Sequence, residues 1–286
     1  MSTIENYLAP SSIDDAAAAL AAGSATIVAG GTDLMLQAGS GQKEYAPTLI
    51  NIQKITEMRG VSLDGDTIRI GALTTITDLL TDEIIAEHLP VMATMADKFA
   101  SDQIRNAGTV GGNICNASPA GDGIVPLLMY KAEAVLASKP NGSTETRKVP
   151  LDEFFTGPGK SVIQENELLI GVDIAVPPAG FVGGFGKFGP RPALEIAMAA
   201  VGLGGVVKDG VISDVRVAFG AVAPTPIRSA ETEAALEGKK LDETTISAAG
   251  EIASSSISPI TDIRASDWYR RHLIRVMTEE ILNDVS

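Results

Sequence analysis

The chain has 286 residues, enough for roughly two or three domains, and a formal net charge of −14 at pH 7 with a pI near 4.6. Such an acidic chain would repel a phosphate polymer, which argues against nucleic acid as a partner. One cysteine, Cys115, and two distant histidines, His88 and His272, can neither form a disulfide nor supply the ligands of an iron–sulfur cluster. We therefore expect no metal site on this chain.

The hydrophobic runs are short throughout the sequence. Residues 1–6 have neither the basic segment nor the apolar segment of a secretory leader, and no run approaches the roughly 18 apolar residues of a membrane span. The most apolar stretch, Met198 to Val207, is broken by glycines and is typical of a buried strand. These features predict a cytoplasmic protein without a membrane span.

Residues 1 to about 55 predict a compact unit of the βαβ kind. A helix over 11–22 is indicated by Ser and Asp residues at its start and by Gly23 after its end. The other elements expected here are a strand over 25–29, a short helix over 34–38 and a strand over 48–52.

A glycine turn joins the first of these strands to the short helix. Gly30 and Gly31 end the apolar run, and Thr32 and Asp33 are typical of a helix N-cap. The orphan amides at such a helix start point outward, where they can bind an anion.

Residues 56–176 predict a second unit of strands and helices. Asp64-Gly65 supplies the turn of a hairpin over 61–71. Further helices are predicted over 75–80, 90–100 and 124–130, and further strands over 134–137 and 168–176. Arg105 could be a cation for a phosphate or a structural salt-bridge partner, and the structural role is favoured.

The segment 108–122 is the strongest candidate for a binding site. Its glycines allow a ligand to approach the backbone, and short polar residues lie between them. Consecutive amides in such a bend can form a nest for an anion, although a plain glycine-rich surface loop has the same composition. Two glycine turns, each beside a threonine, could hold both halves of a pyrophosphate, which favours a dinucleotide. Cys115, within this segment, is more typical of inert packing than of a reactive thiol.

The remainder of the chain predicts a separate α+β domain. The run Pro177-Pro178-Ala179-Gly180 ends regular structure and marks the boundary. Residues 184–189 match Gly-x-Gly-x-x-Gly, but nearby prolines argue against a preceding strand and a following helix, so a nucleotide-binding turn is rejected. The elements expected here are strands over 197–207 and 211–219 and helices over 230–236, 244–254 and 266–282.

Several motifs together resemble one family. Ala29-Gly30-Gly31-Thr32 and Thr109-Val110-Gly111-Gly112-Asn113 are similar to the two flavin-binding loops of the FAD-binding medium subunits of molybdenum hydroxylases. This is the family of carbon monoxide dehydrogenase and xanthine dehydrogenase. The resemblance covers almost the whole chain and continues, in the family's order, through Phe155–Lys160, Phe185–Lys187 with Arg191, Asp262–Ser266 and Tyr269–Leu273.

The resemblance implies an α+β fold with two domains. Residues 1–176 would form a FAD-binding domain of the vanillyl-alcohol-oxidase or PCMH type, with subdomains over about 1–55 and 56–176. Residues 177–286 would form a smaller C-terminal domain like that of the carbon monoxide dehydrogenase flavoprotein, an antiparallel sheet with helices.

The resemblance also implies which residues bind FAD. The first loop would wrap the diphosphate and ribityl groups through its amides, and the second loop would complete the clamp on the diphosphate. Ile114 and Cys115 would approach the isoalloxazine ring or its channel. Asp122 would accept a hydrogen bond from the adenosine or ribose side, and Leu169 would pack on the adenine. Lys187 would be a cation near the flavin that favours an anionic reduced form. The full expected set, with Phe99 as a packing residue, is Val28, Ala29, Gly30, Gly31, Thr32, Asp33, Leu34, Phe99, Thr109, Gly111, Gly112, Asn113, Ile114, Cys115, Asp122, Leu169 and Lys187.

The function implied by the family is electron transfer. A large subunit with the molybdenum cofactor would oxidise the substrate, and two 2Fe-2S clusters on a small subunit would carry the electrons singly. FAD on this chain would pass them to NAD, dioxygen or another acceptor, within a dimer of heterotrimers. No catalytic side chain is expected here, and a single cysteine argues against the subclass that carries an extra cluster in this subunit.

Two other functions stay open on the residues alone. One is a stand-alone flavin oxidoreductase, and the other is a flavin-binding module without catalysis. The motifs specify neither the substrate hydroxylated by the complex nor its electron acceptor.

Overall fold

The computed structural model describes residues 4–191 and 194–286, and its first sheet is small and parallel. Strand β3 lies in the centre, between β1 and β2, and pairs in parallel with both. Ser12 is the N-cap residue of helix α1, and its hydroxyl accepts a hydrogen bond from the Asp15 amide at 3.1 Å. The elements are β1 (Asn6–Leu8), α1 (Ile13–Ala21), β2 (Ala25–Val28), α2 (Leu34–Gly39) and β3 (Thr48–Asn51).

The second sheet has five antiparallel strands, in the order β4-β5-β10-β6-β7. Its strands are β4 (Val61–Asp64), β5 (Thr67–Gly71), β6 (Glu133–Ser138), β7 (Glu145–Pro150) and β10 (Leu168–Ala175). The other elements of this region are a 3-10 turn (Thr56–Met58), α3 (Asp78–Thr81), α4 (Glu83–His88), α5 (Pro90–Asp97), α6 (Asp102–Arg105), α7 (Val110–Asn116), α8 (Ile124–Met129), α9 (Leu151–Phe154), β8 (Phe155–Gly157) and β9 (Lys160–Ser161).

The third sheet is antiparallel and carries helices, as predicted for the C-terminal region. Its four strands follow the chain order, and helices α11 and α12 pack against each other beside it. The elements are β11 (Phe181–Phe188), β12 (Ala199–Lys208), β13 (Val211–Gly220), β14 (Ile227–Arg228), α10 (Ala230–Leu236), α11 (Glu243–Ser255) and α12 (Asp267–Val285).

The two faces of the third sheet belong to different hydrophobic cores. One face contributes Phe185, Ala200 and Ala218 to the core that also holds the second sheet and α8. The opposite face forms a second core with α11 and α12. Glycines let α8 come close to the first face, since a Cβ atom added to Gly220 would lie 2.7 Å from a Val125 methyl group. The C-terminal region therefore shares a core with the N-terminal region.

Several predicted boundaries differ from the observed elements. The helix predicted over 75–80 begins only at Asp78, because Thr75 is paired with Thr109 and its amide donates to the Asp78 carboxylate. The helix predicted over 90–100 ends at Asp97, and Ala100 has a φ of 39°. The sequence does not predict strand β11, because the glycines within it and the prolines on either side are typical of loops. Among the described residues, no helix is long and apolar enough to cross a membrane.

Candidate cofactor site

The two glycine segments predicted as binding loops lie against each other. A Cβ atom added to Gly30 would lie 1.8 Å from the Ala107 carbonyl oxygen, so only glycine fits there. The same two segments also meet at Gly108, where an added Cβ atom would lie 3.6 Å from the Thr32 hydroxyl. The turn after β2 and the segment before α7 therefore form one continuous surface.

The first glycine turn presents free backbone amides. In the described parts of the chain, no group accepts a hydrogen bond from the amides of residues 30–33. Gly31 has a φ of +70°, which favours glycine. The Gln53 side chain donates to the Ala29 carbonyl at 2.7 Å and holds the strand end in place. A run of free amides before a helix suits an anionic group.

Asp33 occupies the N-cap position of α2 but makes no capping hydrogen bond. Its carboxylate instead accepts from the Gln37 side chain, which also donates to the Asn116 side chain at 3.3 Å. Gln37 thus joins α2 to the end of α7. Sequence reasoning missed both Gln37 and Gln53, because their partners are set by tertiary structure.

The second segment differs from the bend that the sequence predicts, because residues 110–116 form helix α7. Thr109 caps this helix, accepting from the Gly112 amide at 3.0 Å. The amides of Val110, Gly111 and Asn113 donate to other backbone carbonyls. This segment would therefore meet a ligand through side chains such as Thr109 and Asn113 more than through free amides.

Asp122 and Lys187 form a buried ion pair beside this segment. The Lys187 ammonium lies 2.6 Å from the Asp122 carboxylate, and the two side chains are 4% and 10% exposed. Lys187 also donates to the carbonyls of Lys98 and Glu195, at 3.2 and 3.3 Å. Burial raises the pKa of Asp122, although the charge of Lys187 opposes that shift. The pair joins β11 of the third sheet to the end of the second glycine segment.

Two buried acceptors remain unsatisfied near this pair. The Asn113 Oδ1 and Asp122 Oδ1 atoms are buried without a hydrogen-bond partner among the described residues. The two residues are close in the fold: Gly123 directly follows Asp122, and a Cβ atom added to Gly123 would lie 2.7 Å from Asn113 Oδ1. Buried acceptors without donors are rare and expensive, so they indicate that a donor group belongs here.

The other residues that are expected to bind FAD lie in different parts of the fold. Phe99 is half-buried and follows Lys98, whose carbonyl accepts from Lys187. Val28 packs near Gly31, and Leu34 is half-buried at the start of α2. Leu169 is buried in the core, opposite Leu136 in the second sheet.

Ile114 and Cys115 are neighbours on α7 with opposite surroundings. Ile114 is fully buried in the first core. Cys115 is exposed, yet the surrounding protein raises the pKa of its thiol to about 12. A thiol with such a pKa is a poor nucleophile at neutral pH.

Two other sequence hypotheses are decided by local geometry. Arg105 has a structural role, because its guanidinium donates to the Asp97 and Phe99 carbonyls and pairs with Asp102. The Gly-x-Gly-x-x-Gly match lies mainly in strand β11. Cβ atoms on Gly184 and Gly186 would meet Ile281 and Met277 of α12, so these glycines permit packing of a helix on a strand.

The residues present fit an FAD. Free amides in the first turn suit its diphosphate, and the unsatisfied acceptors at Asn113 and Asp122 suit its hydroxyl or ring N–H donors. The contact between the two glycine segments leaves no side chain at Gly30 to keep a ligand away from this surface.

Comparisons with known proteins agree with this arrangement. A family model described as the FAD binding domain in molybdopterin dehydrogenase matches residues 2–178, and the CO dehydrogenase flavoprotein C-terminal domain matches residues 186–285. A xanthine dehydrogenase FAD-binding subunit of Escherichia coli O157:H7 is 35% identical over 262 residues, which are 91% of this chain and 88% of that protein. The carbon monoxide dehydrogenase medium chain of Hydrogenophaga pseudoflava is 31% identical over 281 residues, covering 97% of this chain and 95% of that one.

The fold agrees with a solved structure as well. A chain of carbon monoxide dehydrogenase from Hydrogenophaga pseudoflava, in a form that lacks the Mo-pyranopterin moiety of the molybdenum cofactor, matches with a TM-score of 0.92 and 32% identity. The match covers 99% of this chain and 97% of that chain.

Fold and site together define a flavoprotein subunit of an oxidoreductase. The chain belongs to the family of FAD-binding medium subunits of the carbon monoxide and xanthine dehydrogenases, which are molybdenum hydroxylases. The predicted family, the α+β fold and the FAD cofactor are thereby confirmed. The boundary between residues 176 and 177 and the individual FAD contacts stay predictions.

Proposed function

We propose that this chain is the FAD-carrying electron-transfer subunit of a heteromeric molybdenum hydroxylase. It would receive electrons from iron–sulfur clusters on a partner subunit and deliver them to an external acceptor such as NAD or dioxygen. The proposal is supported by the contact between the two glycine segments, in which Gly30 meets the Ala107 carbonyl and Gly108 lies near the Thr32 hydroxyl, and by the amides of residues 30–33, which have no partner in the described chain.

Each part of the site would have a distinct task in holding FAD. The amides of residues 30–33 would bind the diphosphate, with Val28, Ala29 and Leu34 supporting the turn. Thr109 and Asn113 would add side-chain hydrogen bonds, while Gly111 and Gly112 would let α7 approach. Residues expected around the rings and the ribose are Phe99, Ile114, Cys115, Asp122 and Leu169.

Lys187 would hold positive charge close to the flavin, and Asp122 limits its effect. The Asp122 carboxylate compensates most of the charge at 2.6 Å, and the Lys98 and Glu195 carbonyls fix the ammonium. A bound FAD accepts single electrons and delivers them in pairs. The chain's own part is therefore to bind, orient and shield the cofactor.

The partners follow from the family. A large subunit would carry the molybdenum cofactor, and a small subunit would carry two 2Fe-2S clusters, in a dimer of heterotrimers. The relatives named medium chain or medium subunit support the presence of larger and smaller partners. The cytoplasm is the compartment we propose for the complex.

A visible absorption spectrum of the purified chain tests the flavin assignment first. We expect the bands of oxidised flavin, release of FAD on acid treatment and no iron–sulfur absorbance. A colourless chain that also fails to bind added FAD would contradict the proposal.

A further inference from the structure

Two lysines connect the end of helix α5 to strand β11, and each donates to the backbone beside the other. The Lys98 ammonium donates to the Phe185 carbonyl of β11 at 3.1 Å, and the Lys187 ammonium of β11 donates to the Lys98 carbonyl at 3.2 Å. Strand β11 lies at the edge of the third sheet, where its outer backbone groups have no neighbouring strand. The two lysines therefore fix this edge to the segment that follows α5.

The turn between α5 and α6 is also held from within its own region. The Arg105 guanidinium donates to the carbonyls of Asp97 and Phe99, at 3.0 and 2.9 Å. Together with Lys98, three successive carbonyls thus accept hydrogen bonds from cationic side chains. Ala100 follows with a φ of 39°, a conformation that the surrounding structure must support. The turn is therefore a firm base from which the Lys98 side chain reaches β11.

Three acceptors of the chain occupy the Lys187 ammonium. An ammonium carries three N–H donors, and that of Lys187 faces the Asp122 carboxylate and the carbonyls of Lys98 and Glu195. Lys187 would therefore act on a flavin through the position of its charge, which Asp122 offsets from 2.6 Å. The field of two close opposite charges depends on where each of them lies. A small shift of the ammonium would accordingly change the potential at the cofactor.

We propose that Lys98 is a positioning residue for the flavin, because it fixes β11 to the end of α5 and so sets where the Lys187 ammonium lies. Without the Lys98 side chain, β11 would lose this connection and the Lys187 charge would be held less precisely. Reduced flavin, which is negatively charged, would then be stabilised less. The inference rests on the proposed function, since it presumes a flavin beside Lys187.

The test measures the midpoint potential of FAD bound to the full chain. Lys98→Met removes the donor to β11 at an exposed position, while Lys98→Arg keeps a donor and the charge. Lys208→Met is the matched control, because it removes the same charge from another exposed lysine. Lys208 lies on β12 roughly 26 Å along the strand from Ala200, the residue that pairs with Lys187.

We expect Lys98→Met to shift the equilibrium between oxidised and two-electron-reduced flavin about tenfold toward the oxidised form, which is a potential about 30 mV lower. Lys98→Arg should restore most of the wild-type potential, and Lys208→Met should leave it unchanged. In a chain that already carries Lys187→Met, Lys98→Met should have no further effect, because Lys98 acts through Lys187. An equal shift in that chain would overturn the positioning role, since Lys98 would then act through its own charge.

An unchanged potential in Lys98→Met would overturn the inference and leave the proposed function intact. If the chain with Lys187→Met retains no FAD, the same pair of substitutions is compared by urea unfolding of the flavin-free chain. Non-additive effects there would support the positioning role, and additive effects would contradict it. A wild-type chain that binds no FAD would instead overturn the proposed function, and this inference with it.

Discussion

At the scale of single residues, the first glycine turn is a site in which backbone conformation matters more than side-chain chemistry. Gly30 has no room for a Cβ atom, and Gly31 requires a positive φ. The four successive amides of residues 30–33 have no hydrogen-bond partner in the described chain. Affinity for an anionic cofactor should therefore respond to very small changes here.

Gly31→Ala tests this dependence, with Gly41→Ala as its control. Gly41 has nearly the same φ, +74°, but nothing within 4 Å of its Cβ position. Both substitutions should lower the free energy of unfolding of the flavin-free chain by roughly 1–2 kcal/mol. Only Gly31→Ala should weaken FAD binding, by about tenfold or more, measured by fluorescence titration. Equal FAD affinity in the two variants would show that the turn does not hold the cofactor.

The buried pair Asp122 and Lys187 gives a second prediction at this scale. Asp122→Asn or Lys187→Met alone should destabilise the flavin-free chain by about 3 kcal/mol, because each leaves a buried group without its partner. The double substitution should cost less than the sum of the two, as measured by urea unfolding.

Lys131 provides the control. Its ammonium lies 3.4 Å from Asp214, both side chains are partly exposed, and Asp214 keeps its other partner, Arg216, so Lys131→Met should cost no more than about 1 kcal/mol. Additive effects of Asp122→Asn and Lys187→Met would show that their contact contributes nothing to stability.

At the scale of elements, the loop before α12 is ordered by one carboxylate. Asp262 accepts from the amides of Arg264 and Ala265 and from the guanidinium of the buried Arg270. Arg270 also donates to carbonyls at Met198 and Ala221, so it ties this loop to the ends of two strands. The Asp262–Ser266 motif, singled out in the sequence, thus has a structural explanation.

The substitution Asp262→Asn should make the free energy of unfolding less dependent on pH in the acidic range. Burial opposes ionisation of Asp262, but the two amides and Arg270 outweigh it and lower its pKa to about 2. The ordinary value in an unfolded chain is about 3.9, so the stabilisation by this group is present above that pH and is lost as the pH falls toward 2. Unfolding curves of the wild type and the variant should differ at pH 7 and converge near pH 2. A difference that stays constant with pH would contradict this account.

Elements also show which features the sequence could predict. The turn at residues 30–33 follows from local signals, namely a strand, two glycines and a cap-like pair. Helix α7 was wrongly predicted as a bend, because its two glycines disfavour a helix. Its start is fixed by distant partners, since the Gly111 amide donates to Ala72 and a Cβ atom there would lie 2.7 Å from the Ala72 methyl. The pairing of Asp122 with Lys187 likewise depends on how distant segments meet. The family resemblance indicated each residue as a contact of the flavin, and it did not indicate that they contact each other.

At the scale of the whole molecule, the two regions of the chain share a core. The face of the third sheet that carries Phe185, Ala200 and Ala218 packs with α8 and the second sheet. In a fragment of residues 177–286 this face would be exposed to water, and large exposed apolar faces promote association. The sequence boundary at Pro177 therefore does not separate two independent cores.

The isolated 177–286 fragment should bind a hydrophobic dye and unfold over a broad temperature range. The full chain should unfold in one cooperative transition, because its cores meet at the third sheet. Calorimetry of both, with the full chain as the reference, checks this expectation. A sharp transition in a dye-negative fragment would show that the C-terminal region folds alone.

The position of α8 has a consequence for the order of events during synthesis. This helix emerges from the ribosome soon after the second glycine segment, but the glycine-lined strands that cover it, β12 and β13, are made some 75 to 95 residues later. Lys187, the partner of Asp122, is also made later than the segment it completes. A nascent chain that has just produced both glycine segments thus still lacks the strands and the cation that finish the site. Flavin capture should accordingly be a late, largely post-translational event, which follows closure of the third sheet over α8.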